Sequence, residues 1–283
     1  MASTANSGAL LRPEVVEDLL VKPVLAASIA TDPRVATVLR TDASFVRFPV
    51  VQTDPTAAWV AEGAEIPVSD LTTDEVNVEP KKVAGLTVVT SELAEDSSPE
   101  AQAVVGAGLA RDIARKLDDA FTGTGGGVVP AGLASLISAI LGGDLAIGTA
   151  PTNLDGLADA LALSRAQGAN PTSILVNPTT LNTFSKLKES TGSNKYLLES
   201  DPAKPTGKVV FGVPLVPSTS LPTATMYVVD SSRIYTVVRR NAEVKADGSV
   251  FFTSDRVAVR ATMRANFGFV HTASIIRVRL AAS

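Results

Sequence analysis

The chain has 283 residues, of which 45% are hydrophobic and 19% charged, so it carries enough apolar side chains for a sizeable core. Its net charge of −4 argues against a tightly held nucleic acid, because proteins that clamp nucleic acid usually carry a basic excess. The absence of cysteine excludes disulfides, thiolate catalysis and cysteine-ligated metal centres.

The N-terminal segment, residues 1–41, contains scattered proline and serine. Pro13 suits a first helical turn, and Val16 and Leu19 share a face, which predicts a short helix over residues 13–27. The rest of the segment offers little apolar material for a core. Two interpretations therefore stay open: a flexible terminus, or an arm that becomes ordered only against a neighbouring subunit.

The stretch from Ser44 to Thr90 predicts a long hairpin. Residues 45–50 enter it as a strand, residues 75–80 alternate polar and apolar side chains, and residues 82–89 continue as a strand. Trp59, the only tryptophan, lies between the first two of these strands. Because a two-stranded hairpin is marginal alone in water, a hairpin of this length argues for a partner surface.

The charge of the hairpin is opposite to that of the C-terminal region. From Asp42 to Glu79 there are eight acids and one base, Arg47, whereas residues 234–280 hold eight bases and three acids. Opposite patches on one chain suit head-to-tail association, although a solvated charged face is the simpler alternative. The candidate contacts are four residues of the hairpin, Trp59, Glu62, Glu65 and Asp70, and three of a basic receiving face, Arg256, Arg260 and Arg264.

The clearest helix is predicted over residues 97–121, with Ser98 as its cap and Pro99 in its first turn. Apolar residues recur every four positions along it and form one stripe. The members of this stripe are Val105, Leu109, Ile113, Leu117 and Phe121. Asp118 and Asp119 are expected to be solvated at the end of the helix, which residues 123–127 terminate.

Residues 128–235 read as mixed α/β, and strands follow to residue 280. We expect Asn153 to cap one helix, residues 173–176 to form a buried strand and Asn177 to open a second helix. Short strands are expected at 212–216, 226–229, 235–238, 257–264, 267–270 and 274–280. An exposed loop is predicted around residues 189–195, with Thr191, Ser193, Asn194 and Lys195 as its candidate contacts.

Residues that could carry catalysis or hold a cofactor are scarce. His271 is the only histidine, so the common transition-metal sites lack ligands. Residues 123–127 are glycine-rich but lack the Gly-Lys-Ser/Thr that follows in a phosphate loop, and no Gly-x-Ser-x-Gly elbow occurs. We expect no catalytic residue, no cofactor and no metal.

Two segments carry a family resemblance. Residues 59–69 read WVAEGAEIPVS and residues 80–93 read PKKVAGLTVVTSEL. These segments, with the helix that follows, resemble the hairpin tip, return strand and spine helix of tailed-bacteriophage major capsid proteins. ILVNP at 174–178 and GVPL at 212–215 resemble pieces of the axial domain of that family, and the resemblance covers roughly residues 10–280.

The resemblance implies the α+β Hong Kong 97 capsid fold. The expected parts are an N-terminal arm (1–43), an extended hairpin loop with its return strand (44–90), a peripheral domain with the spine helix (91–130), a mixed α/β axial domain (131–235) and peripheral strands (236–283). It also implies a structural protein whose hexamers and pentamers tile an icosahedral shell around double-stranded DNA, which the shell contacts without sequence specificity.

Further partners and a location follow from the same resemblance. Residues 1–43 are too short for the scaffolding domain of some family members, so we expect a separate scaffolding protein or prior removal of such a domain. A portal protein at one vertex and a decoration protein outside the shell are further expected partners. Residues 1–11 lack the features of a signal peptide, and no apolar run reaches the roughly 18 residues of a membrane helix. We therefore expect assembly and maturation of a procapsid in the bacterial cytoplasm, with no membrane partner.

Three alternatives remain at this stage. An encapsulin-type nanocompartment shell, which encloses cargo enzymes, has the same fold. An α/β hydrolase or transferase would rest on residues 128–235 alone. A secreted or surface-displayed binding protein is disfavoured by the missing signal peptide and disulfides.

Some members of the resembled family form an isopeptide bond between a lysine of the extended loop and an asparagine of another subunit. Here no lysine lies between Arg47 and Pro80, so we predict no such cross-link. Mature particles run on a denaturing gel should give one band at the 29.2 kDa of the chain. A ladder of covalent multimers would contradict this prediction.

Overall fold

The computed structural model describes residues 22–53, 56–63, 65, 67–68, 72–90, 99–149, 151–190, 193–200, 207–251 and 254–281. Within these residues the helices are α1 (Lys22–Ala27), α2 (Pro99–Thr122), α3 (Asp155–Ala166) and α4 (Pro178–Ser185). The first strands are β1 (Thr37–Thr41), β2 (Val46–Thr53), β3 (Thr72–Val78), β4 (Lys81–Thr90), β5 (Gly143–Ala146) and β6 (Ser173–Val176). The remaining strands are β7 (Glu199–Ser200), β8 (Lys208–Val210), β9 (Val213–Pro217), β10 (Thr225–Val229), β11 (Ile234–Phe251), β12 (Arg256–Phe269) and β13 (Ile276–Arg279).

A four-stranded sheet is built on the two longest strands, in the order β1-β11-β12-β4. β11 has 18 residues and β12 has 14, and they pair antiparallel along their whole length with register shifts between Arg239 and Glu243 and between Asp247 and Phe251. The sequence predicted shorter, separate strands at 235–238, 257–264 and 267–270. Because β11 and β12 form hydrogen bonds with each other, both strands extend beyond the segments in which polar and apolar residues alternate clearly.

A seven-stranded sheet holds the second half of the fold, in the order β5-β13-β10-β6-β9-β8-β7. The expected grouping of residues 236–283 as strands of one domain is corrected here, because β13 pairs with β10 and β5 in this sheet. Burial explains the placement: Ile276 and Val278 are fully buried on the face that α3 covers. Of the described strands after residue 230, only β11 and β12 belong to the four-stranded sheet.

The main hydrophobic core lies between α2 and the inner face of the four-stranded sheet. Ile113, Leu117 and Phe121 of the predicted stripe are buried there, and Leu109 packs against the same cluster. The Phe121 ring meets the Phe267 ring edge-on, with 5.1 Å between centroids. The helix stripe is confirmed over its described side chains; the side chain of Val105 and the expected cap Ser98 lie outside them.

The second core lies between α3, α4 and one face of the seven-stranded sheet. The strand predicted at residues 173–176 is present as β6 and is buried throughout. Asn177 caps α4 as predicted, since its side chain accepts a hydrogen bond from the Thr179 amide. The prediction for Asn153 was wrong: the N-cap of α3 is Leu154, without a side-chain cap bond, and Asn153 instead donates to Asp155.

The N-terminal segment needs no neighbouring copy for its order, at least over residues 22–41. Val24 and Ala30 are fully buried in the main core, and β1 pairs parallel with β11. These residues form no separate core but pack in the main core of their own chain, so over this range the alternative of an arm that becomes ordered only against a neighbouring subunit is not met. The N-terminal part of the helix expected over 13–27 lies outside the described residues, and α1 is its C-terminal part.

Asp118 is not solvated, in contrast to the expectation. The hydroxyl of Ser28 and the amide of Ala30 donate to its carboxylate, which ties the N-terminal segment to α2. Burial raises the pKa of Asp118, and the hydrogen bonds from Ser28 and the neighbouring backbone oppose that rise. Asp119, one residue on, is exposed as expected.

The predicted hairpin is present as β2 and β3, which pair antiparallel from Val46 opposite Val78 to Thr53 opposite Thr72. β4, the expected continuation, belongs to the four-stranded sheet and pairs with β12. The hairpin is thus a two-stranded projection whose base adjoins the sheet. No helix among the described residues is long and apolar enough to cross a membrane.

An ionic cluster fixes the β5 edge of the seven-stranded sheet. The Asp144 carboxylate accepts hydrogen bonds from Arg277 at 2.5 Å, Arg279 at 2.7 Å and the Ser138 hydroxyl at 2.7 Å. The bond from Arg277 is the main cause that holds the pKa of Asp144 well below its ordinary value. Only 11% of the Asp144 side chain and 18% of the Arg277 side chain are exposed, so solvent screens this pair little.

We predict that Asp144→Asn lowers the free energy of unfolding by about 3 kcal/mol at pH 7, because it leaves the Arg277 guanidinium buried beside a neutral partner. The contribution of Asp144 is fully present above its ordinary pKa of about 3.9 and is lost as the pH falls from there toward the folded-state pKa. Urea unfolding at pH 7 and below pH 4 measures both effects. A difference between the two proteins that stays constant down to low pH would contradict the assignment.

Candidate assembly interface

The tip of the hairpin presents apolar and acidic side chains to solvent. Trp59 is 106% exposed and Val68 is 94% exposed, so neither contacts the body of its own chain. Glu62 and Glu65 are also exposed, on either side of Gly63, whose φ of 82° makes the turn. Asp70, the fourth predicted contact, lies outside the described residues. An isolated copy therefore leaves its only tryptophan unpartnered.

The base of the hairpin is anchored on the outer face of the four-stranded sheet. The rings of Phe48 and Tyr235 stack with 4.5 Å between centroids, and Val78 is buried. Gly268 makes this close approach feasible, since a Cβ there would lie 2.8 Å from a Val78 methyl. The Asn266 side chain also donates to the Glu79 carbonyl at 2.7 Å. The base thus fixes the direction in which the tip projects.

The three predicted arginines lie together on the same outer face. Arg256, Arg260 and Arg264 recur every four residues along β12, and all three are exposed. Their partners across the ladder on β4 are Thr90, Leu86 and Lys82. Among the described side chains no carboxylate forms an ion pair with these three arginines, so their charge stays available to a partner.

Two apolar side chains between these cations were not predicted from the sequence. Leu86 is 64% exposed and Val88 is 38% exposed, both on β4 and both facing outward. Gly85, the residue before Leu86, faces the opposite side of the strand. A Cβ placed on it would lie 3.0 Å from a Leu109 methyl. The alternation along β4 contained this signal. Successive side chains of a strand point to opposite faces, so Leu86 and Val88 lie on the same face as the charged Lys82.

The predicted exposed loop closes on itself through local bonds. Lys195 forms an ion pair with Glu189 at 3.0 Å, and the Lys195 amide donates to the Ser193 hydroxyl. Asn194 is exposed, and its carbonyl accepts from the Lys188 ammonium at 3.5 Å. Thr191 lies outside the described residues. The described residues of this loop form no hydrogen bond or ion pair with the described part of the hairpin tip or with the three arginines.

Two exposed aromatic residues, one beside this loop and one in another turn, were not predicted from the sequence. Tyr196 is 54% exposed, with the Lys188 ammonium 3.9 Å from its ring centroid, and Phe211 is 56% exposed in the turn between β8 and β9. The only signal for Phe211 was an aromatic residue directly before a glycine, which is typical of a tight turn but says nothing about exposure.

His271 lies where β12 leaves the four-stranded sheet. Burial lowers its pKa, and the nearby Arg233 guanidinium acts in the same direction. Among the described residues no cluster of three or more histidine, aspartate or glutamate side chains could hold a metal ion.

The chain matches the model of the Phage capsid family over residues 9–280. It belongs to that family. Membership supports a structural role in a capsid, and none of the matches favours the nanocompartment alternative. Its place is the capsid of the virion.

A curated relative, the capsid polyprotein of Pseudomonas phage PAJU2, is 32% identical over 191 residues. The match covers 62% of this chain and 27% of the relative, so the chain spans about a quarter of the length of that polyprotein.

Solved structures with the same fold include phage capsids. The capsid of a native GTA particle, computed with C5 symmetry, aligns with a TM-score of 0.71 and 20% identity over 90% of this chain and 91% of its own. The structure from Microbacterium phage Oxtober96 aligns with a TM-score of 0.71 and 19% identity, over 89% of this chain and 91% of its own. The structure from Mycobacterium phage Bobi aligns with a TM-score of 0.69 and 22% identity, over 92% of this chain and 91% of its own. These likenesses establish the Hong Kong 97 fold that the sequence resemblance implied.

Because Trp59 is the only tryptophan and is fully exposed, fluorescence reports directly on the hairpin tip. We predict that the unassembled chain emits like free tryptophan in water and that iodide quenches this emission efficiently. A blue-shifted emission that iodide hardly quenches, in a species shown to be monomeric by light scattering, would mean that the tip packs on its own chain.

Proposed function

We propose that copies of this chain build an icosahedral shell in which the hairpin of one copy lies on the outer sheet face of the next. The observation that carries this proposal is the fully exposed Trp59 at the tip of a two-stranded projection. A two-stranded hairpin gains little stability alone, and an exposed indole gains none until it is buried. The marginal stability of the hairpin and the exposure of the indole are both offset when the tip packs on the surface of another copy.

The outer face of the four-stranded sheet has the composition that such a tip requires. Leu86 and Val88 form an apolar centre, and the cations around it are Lys82, Arg256, Arg260 and Arg264. On the hairpin, Trp59 and Val68 are apolar, and Glu62 and Glu65 are acidic. We infer that the indole packs on Leu86 within reach of an arginine, while the two glutamates approach the surrounding arginines.

The two surfaces lie on different parts of one chain, so the contact between copies is heterologous. Contacts of this kind close into rings when the rotation between copies is right. Pentamers and hexamers of one chain, tiled into an icosahedral shell, are the assembly that we propose. Each contact is polar at its edge, so copies added in a wrong position can dissociate before the shell is complete.

The proposal includes the expected division of labour within the chain. Residues 44–90 supply the extended loop and its return strand, residues 91–130 contain the spine helix, and residues 131–235 supply most of the axial domain. The further partners that we propose are a separate scaffolding protein, a portal protein at one vertex, a decoration protein outside and packaged double-stranded DNA inside. The net charge of −4 suits DNA that the shell encloses without clamping it. Assembly would take place in the cytoplasm of the bacterial host.

The test replaces one receiving charge. We expect Arg260→Glu to leave the unassembled chain folded, because the side chain is exposed and forms no ion pair among the described side chains. Assembly should fall at least about tenfold, since the new carboxylate would face the acidic tip. Light scattering and electron microscopy follow shells or rings, and a blue shift of the Trp59 emission follows docking of the tip.

The matched control is Arg165→Glu, an exposed arginine in the last turn of α3, away from both surfaces. It should assemble like the unmodified chain and show the same blue shift. Equal assembly by Arg260→Glu and the unmodified chain, or shells that form while Trp59 emission stays that of an exposed indole, would refute the proposed docking.

A further inference from the structure

The turn between β8 and β9 holds a bulky side chain in an unfavourable backbone conformation. Phe211 has a φ of 49° and Gly212 a φ of 81°, and the strand residues on either side, Val210 and Val213, pair directly. A two-residue turn with both φ values positive favours Asn-Gly, because asparagine tolerates the left-handed region better than other side chains. Phenylalanine in this position is strained.

The Phe211 ring stays more than half exposed, so burial in its own chain offsets little of this strain. It is 56% exposed, whereas the flanking Val210 and Val213 are buried in the second core. The turn itself would form more readily with a small polar residue. An aromatic that is both strained and exposed is therefore explained by a contact outside the isolated chain.

A second exposed apolar turn lies at the β5 edge of the seven-stranded sheet, four strands away from β9. Ile137 is 62% exposed and Ile140 is 44% exposed, in the turn that precedes β5. The turn is held rigidly: Leu141 is buried, and a Cβ on Gly142 would lie 1.8 Å from the Ala273 carbonyl. The Ser138 hydroxyl joins the same turn to the Asp144 carboxylate at 2.7 Å.

Strand register places the two turns at the same end of the sheet. One row across the sheet consists of Leu215, Ile174, Val228, Ile276 and Gly143. β9 and β5 run in the same direction, because β9 is parallel to β6, β5 is parallel to β13, and β6 and β13 are both antiparallel to β10. Each turn precedes its strand, so both lie on the same side of this row.

We infer that Phe211 of one copy packs against the Ile137–Ile140 turn of the next copy. This inference rests on the proposed shell, in which copies stand side by side in rings. Two exposed apolar features on opposite sides of a sheet's centre and at one end of the sheet can meet when copies are related by rotation about a common axis. The partner that packs against each turn is therefore a second copy of this chain.

Cysteine cross-linking tests the contact, because the chain contains no cysteine. Phe211→Cys is combined with Ile137→Cys in one protein and with Ile140→Cys in a second. Within one copy the two positions lie on strands separated by at least four strand spacings of about 4.8 Å, too far for a disulfide. Oxidised rings or shells should give a ladder on a non-reducing gel, with at least one of the two pairs. Phe211→Cys with Val128→Cys, an exposed valine elsewhere, should give none.

A second variant separates contact from folding. We expect Phe211→Asn to leave the melting temperature of the unassembled chain unchanged or raised, because asparagine suits the turn, and to reduce assembly at least about tenfold. Val128→Asn is the control and should assemble normally. A lowered melting temperature would make Phe211 a structural residue and overturn the inference.

Failure of the inference and failure of the proposed shell give different results. Normal assembly of Phe211→Asn, together with no ladder from either cysteine pair in shells that form, would overturn the contact and leave the shell intact. If the unmodified chain formed no ring or shell, with or without a scaffolding protein, both would be overturned.

Discussion

The four-stranded sheet has two faces, and the chain covers only part of the outer one. Its inner face is closed by α2 through Phe121, Leu117 and Ile113, which sets the position of β4, β11 and β12. The outer face carries the hairpin base at one end and bare arginines with Leu86 along the rest. Because apolar surface that stays exposed is a cost to a monomer, this half-covered face is where we propose that a second copy binds.

The inner face also orders the start of the chain. Residues 22–41 bury Val24 and Ala30 against α2, and the hydroxyl of Thr236 on β11 donates to the Ala30 carbonyl. β1 then extends the sheet by one parallel strand. The segment that looked too polar for a core of its own borrows the core of the rest of the chain, and Asp118 receives its hydrogen bonds at the junction.

Local sequence patterns predicted the local elements well. The period of α2, the Asn177-Pro178 start of α4 and the apolar run of β6 each depend on neighbours within a few residues. The hairpin was also predicted, and Trp59 at its tip is fully exposed, while its contact with another copy stays a prediction.

Features that depend on distant segments escaped prediction. The full length of β11 follows from its pairing with β12, and the place of β13 follows from pairing with β10 and β5. The alternation along β4 shows that Leu86 and Val88 share one face, but which face stays exposed depends on the rest of the fold, as does the exposure of Phe211.

The alternation along β4 has an evolutionary consequence. Val83, Gly85 and Thr87 face the helix, while Leu86 and Val88 face outward. Substitutions at the first set affect whether a single polypeptide acquires its tertiary structure. In the proposed shell, substitutions at the second set affect whether two copies bind each other. Two selective pressures would then act on alternate residues of one strand, and changes in the outward set would require compensating changes at the hairpin tip.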